Sequence, residues 1–176
     1  MKRVFLHFIF LLFTAQFWAQ QPVTIQLTEK DGLPDIEFYN VLEDKRGFIW
    51  FAADKGLFRY DGKSYVNFSH PQKRGLSVFG LFEDTQGRVW CNTISGQFFY
   101  VKDGKMELFV DLKDDLKGQL PEFKVIDYQL IAFSEKGIFL IDVNTKKRKI
   151  IKDEDSKSPY YGYPFQYKNQ LFFTLD

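Results

Sequence analysis

The sequence repeats itself with a period of 40 residues, and this period restricts the possible folds more than any other feature. Residues 42–50 read LEDKRGFIW, and residues 82–90 read FEDTQGRVW. Glu, Asp, Gly and Trp occupy the same positions in both segments. A repeat of about 40 residues has room for four short antiparallel strands, which make one blade of a β-propeller.

The similarity continues past the second tryptophan and then weakens. The offset of 40 aligns Gly56, Phe58 and Tyr60 with Gly96, Phe98 and Tyr100, and Asp61-Gly62 returns as Asp103-Gly104. A third copy at residues 130–139 and a fourth from Tyr167 lack the Glu-Asp turn and the Trp. We therefore expect about three and a half repeats, near residues 36–68, 78–109, 123–151 and 164–176. Since the fourth copy is partial, we expect the sequence to stop before the propeller is complete.

Turn-forming residues divide the first copy into four strands. The segments 44–47 and 54–56 combine Asp, which can cap backbone N–H groups, with Gly, which accepts positive φ. Asp61-Gly62 is a two-residue hairpin signal. Because such punctuation recurs every eight to ten residues, helices of ordinary length do not fit. The predicted fold is all-β, built of four-stranded antiparallel blades; the first has strands at Tyr39–Glu43, Phe48–Ala53, Leu57–Tyr60 and Ser64–Phe68.

The recurring residues have structural explanations. Trp50 and Trp90 lie on second strands, where we expect them to fill the space between neighbouring blades; ligand stacking is the alternative. The aspartates of the Glu-Asp turns are interpreted as turn residues and not as catalytic carboxylates. We assign a structural role to Asp44, Gly47, Trp50, Gly56, Asp61, Gly62, Asp84, Gly87, Trp90 and Gly96. No catalytic residue, metal ligand or cofactor is predicted, and no ligand-binding residue is assigned.

Composition and charge agree with a sheet protein and exclude some partners. Aromatic residues make up 19% of the chain, and aromatics favour the half-buried surface of a sheet. The net charge is +1, so no basic excess exists to bind nucleic acid. The basic run 146–149 is followed by acidic residues and is interpreted as a solvated strand end and turn, with anion binding as the alternative. Cys91, the single cysteine, is interpreted as a small apolar strand residue.

Residues 1–20 have the pattern of a secretory signal peptide. Lys2 and Arg3 precede an apolar run from Val4 to Phe13, and a more polar exit ends at Gln20. The run is short for a bilayer span, which needs about 20 residues, so we favour a cleaved signal over a retained anchor. The mature region, residues 21–176, is therefore predicted to be exported, and a membrane anchor would lie beyond it.

The repeat resembles that of the two-component regulator propellers. Residues 27–34, LTEKDGLP, look like the opening phrase of that family, and residues 41–62 look like its signature repeat. The resemblance implies the periplasmic sensor region of Bacteroidetes-type histidine kinases or hybrid two-component systems, with seven-bladed propellers. It also implies a β-sandwich, an inner-membrane helix and a cytoplasmic output module after the propellers, a homodimer as the intact sensor, and oligosaccharides as frequent ligands.

Three functions follow as hypotheses. The first is a periplasmic ligand-sensing region, non-catalytic in itself, of a sensor histidine kinase. The second is a secreted propeller that binds or scaffolds without a kinase. The third is a propeller glycosidase or lyase, for which Glu83 and Asp127 are the carboxylates to test. Loops at strand ends are the natural ligand-binding positions, and the segment with Tyr160, Tyr161 and Tyr163 is either such a loop or an inter-blade connection.

Overall fold

Three small sheets make up most of the chain. The computed structural model describes residue 24 and residues 26–152, 161–167 and 170–175. These ranges contain three four-stranded antiparallel sheets, a two-stranded hairpin, a 3-10 turn at Glu29–Asp31 and a short helix α1 at Lys113–Leu116. In every sheet, strands consecutive in sequence are hydrogen-bonded neighbours. The predicted all-β architecture of four-stranded blades is confirmed, while the leader, residues 1–20, lies outside the described ranges.

The strands follow the repeat. The first sheet has β1 Phe38–Glu43, β2 Ile49–Ala53, β3 Gly56–Tyr60 and β4 Tyr65–Phe68. Both ends of each strand lie within one residue of the predicted ends. The second has β5 Leu81–Glu83, β6 Val89–Asn92, β7 Gln97–Lys102 and β8 Lys105–Asp111. The third has β9 Glu122–Ile126, β10 Gln129–Ser134, β11 Gly137–Asp142 and β12 Arg148–Ile151. The hairpin has β13 Tyr161–Tyr167 and β14 Gln170–Leu175, and β13 packs against β9 and β10.

The prediction of a two-residue hairpin at Asp61-Gly62 is wrong. Tyr60 pairs with Tyr65, so the loop has four residues, 61–64. The Asp61 carboxylate accepts hydrogen bonds from the backbone N–H groups of Lys63 and Ser64, both at 2.8 Å, and thereby closes a wider turn. A two-residue hairpin occurs instead at Asp103-Gly104, where Lys102 pairs with Lys105 and both turn residues have positive φ.

The alignment of the third strands at an offset of 40 is also wrong by one residue. Trp90 pairs with Tyr100, whereas Trp50 pairs with Arg59, so the third strands correspond at an offset of 41. The extra residue lies in the turn that contains Gly96, and Gln97 opens β7 where Gly56 opens β3. Gly96 has φ +80°, and a Cβ added at this residue would lie 3.0 Å from the backbone of Leu112. A larger residue therefore does not fit there.

The third sheet shows why the Glu-Asp turn disappears from the later copy. Its first two strands are joined by only two residues, Asp127 and Tyr128, both with left-handed φ. The corresponding links in the first two sheets have five residues. Ile131, at the position of Trp50, pairs with Leu140 and packs beside Phe133.

Two hydrophobic clusters hold neighbouring sheets together. Residues of the first and second sheets form one cluster, which includes Trp50, Leu57, Phe68, Cys91 and Phe99. Residues of the second and third sheets form the other, which includes Trp90, Phe98, Phe123, Leu130 and Phe139. All four residues of β6 are buried because a sheet covers each of its faces. Trp50 and Trp90 thus each lie between adjacent sheets, and burying about 200 Å² of one indole stabilises the packing by about 5 kcal/mol.

The first strands of the sheets lie side by side. β1 contacts β5, and β5 contacts β9, so these strands share one inner edge of the array. Because each sheet is a meander, the links between sheets and the turns after second strands lie at one end, which we call the connection end. The turns that contain Asp44, Asp84 and Gly104 lie at the opposite end.

Candidate ligand-binding surface

The repeated aspartate and tryptophan form one hydrogen-bonded unit in each of the first two sheets. The indole N–H of Trp50 donates to Asp44 Oδ2 at 2.9 Å, and that of Trp90 donates to Asp84 Oδ2 at 2.8 Å. Asp44 Oδ1 also accepts from the backbone N–H of Phe48 at 3.0 Å, as Asp84 Oδ1 does from Arg88 at 3.0 Å. The aspartate is thus both a turn cap and the acceptor for a buried indole, and its spacing of six residues from the tryptophan is the sequence signal for this bond.

These carboxylates are held ionised although they are buried. Burial alone would raise the pKa of Asp84, but the hydrogen bonds from Trp90 and Arg88 and the Arg88 charge outweigh it, so the pKa lies below its usual value. The pKa of Asp44 is lowered in the same way, against burial, by Trp50 and the turn N–H groups. Both oxygens of each carboxylate accept hydrogen bonds from protein N–H groups. This arrangement gives Asp44 and Asp84 a structural role in the turn.

A β-bulge in β1 exposes an aromatic side chain at the connection end. Phe38 pairs with Ala53 and Asn40 pairs with Ala52, so Tyr39 is the extra residue of the bulge. Tyr39 is 45% exposed, and its ring stacks on Phe79 with the centroids 4.6 Å apart. Bulges commonly redirect a side chain beside a functional site. We call Tyr39, Phe79, Glu37, Asp54 and Ser77 the Tyr39 platform.

Polar groups surround the Tyr39 ring. The Tyr39 hydroxyl lies 3.5 Å from Glu37 Oε2 and 3.5 Å from Asp54 Oδ1, and Ser77 Oγ donates to Asp54 Oδ1 at 2.6 Å. Burial first, and then the nearby Asp54 and Glu37 charges, raise the pKa of Tyr39. An exposed aromatic stack bordered by carboxylate and hydroxyl acceptors is suited to a ligand with an apolar face and hydroxyl groups on its rim. A bulge leaves no periodic signal in a sequence, so the residue pattern alone does not predict this site.

Asp35 fixes the segment that leads into the platform. It is 3% exposed, and its carboxylate accepts from the backbone N–H groups of Lys55 at 2.6 Å and Ile36 at 2.8 Å. The Lys55 N–H belongs to the turn that follows β2, so Asp35 ties the entering chain to the connection end. Asp35 stands outside the repeated motif, so the sequence pattern alone does not predict its role.

The link between the first two sheets is also held in place. The buried Gln97 side chain donates to the carbonyl of Gln72 at 2.9 Å and accepts from the backbone N–H of Arg74 at 2.8 Å. The Arg74 guanidinium donates to both Asp111 oxygens, at 2.5 and 2.7 Å. A rigid link gives Phe79 and Ser77 a fixed position beside Tyr39.

Other predicted positions fall outside this surface. Cys91 is buried in the core, where burial raises the pKa of its thiol to about 12. The basic run begins with Lys146, which has positive φ, and ends in the exposed start of β12. Glu83 accepts from the backbone N–H of Lys45 at 3.0 Å, and Asp127 lies in the turn before β10. Of the Tyr160 segment, Tyr160 lies outside the described residues, and only the strand backbone of Tyr161 and Tyr163 is described.

The described part of the chain contains no group of three or more His, Cys, Asp or Glu residues placed to hold a metal ion. None of its helices has the length and apolar character needed to cross a bilayer.

Comparisons with solved structures find the same fold in larger proteins. The extracellular domain of a protein described as a hybrid two-component system of B. thetaiotaomicron matches 85% of this chain with a TM-score of 0.66 and 16% identity. A second extracellular domain, from a protein of that organism described as a one-component system, matches 86% with a TM-score of 0.65 and 13% identity. Virginiamycin B lyase of Staphylococcus aureus matches 76% with a TM-score of 0.58 and 17% identity.

The matched region is only part of each of these proteins. It covers 23% and 21% of the two extracellular domains and 47% of the lyase. No protein-family model matches the sequence, and comparison with curated proteins finds no significant match. The fold neighbours agree with the family resemblance that the repeat carries: this chain has the blade fold found in extracellular domains of two-component systems.

Proposed function

We propose that this chain belongs to the exported ligand-sensing region of a two-component sensor. The observation that carries the proposal is the likeness to two extracellular sensor-system domains over more than four-fifths of the chain. The family resemblance of the repeat and the signal-like leader support the same role. In this role the propeller binds its ligand outside the cytoplasm, and a membrane helix and a histidine kinase follow it in the intact protein.

The Tyr39 platform is the position proposed for ligand contact. It combines an exposed aromatic stack with two carboxylates, and it lies among links that are fixed by Asp35 and Gln97. Sugar rings have apolar C–H faces that stack on aromatics and hydroxyl rims that donate to carboxylates. An oligosaccharide is therefore the ligand class that this surface fits best.

An array of immobilised oligosaccharides tests the binding proposal. The chain is expected to retain at least one oligosaccharide, and Tyr39→Asn is expected to lose that signal. Tyr128→Asn is the matched control, because Tyr128 is similarly exposed, at 49%, and lies at the opposite end of the strands. Equal retention by both variants would exclude the platform as the contact surface.

The coding sequence after Asp176 tests the sensor role independently. A membrane helix followed by kinase motifs is the expected result. A stop codon together with a secreted product would instead favour a binding or scaffolding protein.

A catalytic role is a second candidate because one fold neighbour is a lyase. Glu83 and Asp127 are the carboxylates to replace, and loss of a measured glycosidase or lyase activity in Glu83→Gln or Asp127→Asn would favour an enzyme. The bond between Glu83 and the Lys45 N–H gives Glu83 a structural role that the non-catalytic proposal accounts for.

A further inference from the structure

A cleft with an excess of positive charge opens between the first two sheets at the end opposite the Tyr39 platform. Its volume is about 230 Å³, and its lining includes four cationic side chains, Lys45, Arg46, Arg59 and Lys102, but only two anionic ones, Glu83 and Asp103. One water needs only about 15 Å³ of such space, so the cleft has room for an anion with its hydration.

The first two sheets differ in where the arginine beside the tryptophan lies and in whether it has a carboxylate partner. In the second sheet, Arg88 lies 5.1 Å from the Trp90 ring and its Nε donates to Asp84 Oδ2 at 2.6 Å. In the first sheet, a phenylalanine, Phe48, occupies the position of Arg88, and the cation near Trp50 is Arg59 on the neighbouring strand.

Arg59 lies on the third strand of its sheet and has no carboxylate acceptor among the described residues, whereas Arg88 has Asp84. The Arg59 guanidinium lies 4.3 Å from the Phe48 ring centroid and contacts aromatic rings, but it donates no hydrogen bond to any residue in the described ranges. Its Nε is buried without a partner. Arg59 as a whole is only half-buried and lines the cleft, so the guanidinium N–H groups on that side have no acceptor in the described part of the protein, and an oxyanion is the ligand that accepts from them with the strongest hydrogen bonds.

The other charges of the cleft do not supply this acceptor. Glu83 Oε2 accepts from the Lys45 backbone N–H at 3.0 Å, and the Arg46 guanidinium lies 3.4 Å from Asp44, which is outside the lining. Asp103 is in the exposed hairpin turn before β8, and Lys102 forms no ion pair with a described residue. Arg59 and Lys102 are therefore the two cations of the lining that can bind an anionic ligand.

We infer that this cleft is an oxyanion-binding site, in which Arg59 and Lys102 hold a carboxylate, sulfate or phosphate group between the first two sheets. The site is separate from the Tyr39 platform and does not depend on the proposed sensor role. Because the anion would contact both sheets, its binding also stabilises their packing.

NMR titration of the ¹⁵N-labelled chain with sodium sulfate and with sodium acetate, at constant ionic strength in chloride, tests the site. The Trp50 indole and the Gly87 and Gly104 amides line the cleft and are expected to shift saturably. The Trp90 indole lies in the other cluster and serves as the internal control. Saturable binding of either anion supports the site, and the tighter one identifies the anion class. Linear shifts, or equal shifts at both indoles, would overturn it.

Variants separate the site from general charge effects. Arg59→Gln is expected to weaken the anion affinity at least about tenfold, the effect of losing a charge-assisted hydrogen bond. Lys102→Gln is expected to weaken it as well and is the second variant should Arg59→Gln fail to fold. Lys149→Gln, an exposed change in the third sheet, is the matched charge control and is expected to bind normally. Unchanged affinity in a folded Arg59→Gln or Lys102→Gln would refute the assignment.

Discussion

Replacing Asp84 by Ala should destabilise the chain far more than replacing Asp44 by Ala, although both aspartates occupy the same repeat position. Asp84 accepts from the Trp90 indole, from the Arg88 backbone and from the Arg88 Nε, and the Arg88 side chain is only 10% exposed. Removing Asp84 therefore leaves a buried indole N–H and a buried charge without acceptors. Asp44 has the same bonds to its turn and tryptophan, but its cation, Arg46, is 59% exposed and water can replace the lost partner.

The structure sets the size of the difference. An unpaired buried donor costs about 1–3 kcal/mol, and breaking a buried ion pair costs about 3–5 kcal/mol. We expect the free energy of unfolding to fall by about 2–3 kcal/mol in Asp44→Ala and by about 5 kcal/mol in Asp84→Ala. Urea denaturation followed by tryptophan fluorescence and by far-UV circular dichroism measures both.

A second comparison isolates the buried charge. Arg88→Leu in the Asp84→Ala background removes the stranded guanidinium, so it should recover part of the lost stability. Equal losses in the two single variants, or no recovery in the double variant, would refute the argument that the burial of the arginine determines the cost.

Three other predictions concern acidity, backbone conformation and thiol reactivity. The pKa of Asp84 in the folded chain lies below 3.8, so the ionised carboxylate contributes to stability above about pH 4, and this contribution is lost as the pH falls below about 4. Asp84→Asn should weaken this acid dependence of stability, measured by urea denaturation at a series of pH values. Gly137→Ala should destabilise by about 3 kcal/mol or more, since its φ is +120° and the new Cβ would collide with the Ile151 carbonyl, whereas Gly62→Ala, with open space around it, should cost about 1 kcal/mol in the same melts. Cys91, buried and with a pKa near 12, should resist iodoacetamide at pH 8 in the folded chain and react in urea, and rapid native labelling would contradict its placement in the core.

The sequence by itself determined the blade architecture. Repetition at 40 residues, with Asp and Gly at turn positions and Trp on second strands, predicts four-stranded antiparallel units because these residues set local turn geometry and strand alternation. The strand bounds of the first sheet agree within one residue for that reason. The position of Trp50 and Trp90 between sheets follows from the same alternation.

Only the tertiary structure decided the sites. The one-residue shift of the third strand depends on the length of the turn before Gln97, and the bulge at Tyr39 depends on how β1 pairs with β2. That Arg59 lacks an acceptor depends on the face of β3 where its side chain lies and on the neighbouring sheet packed there. The sequence shows an arginine but not the absence of an acceptor. Local rules fix turns and strands, whereas contacts across sheets depend on pairing register and on packing, which join residues that are distant in the sequence.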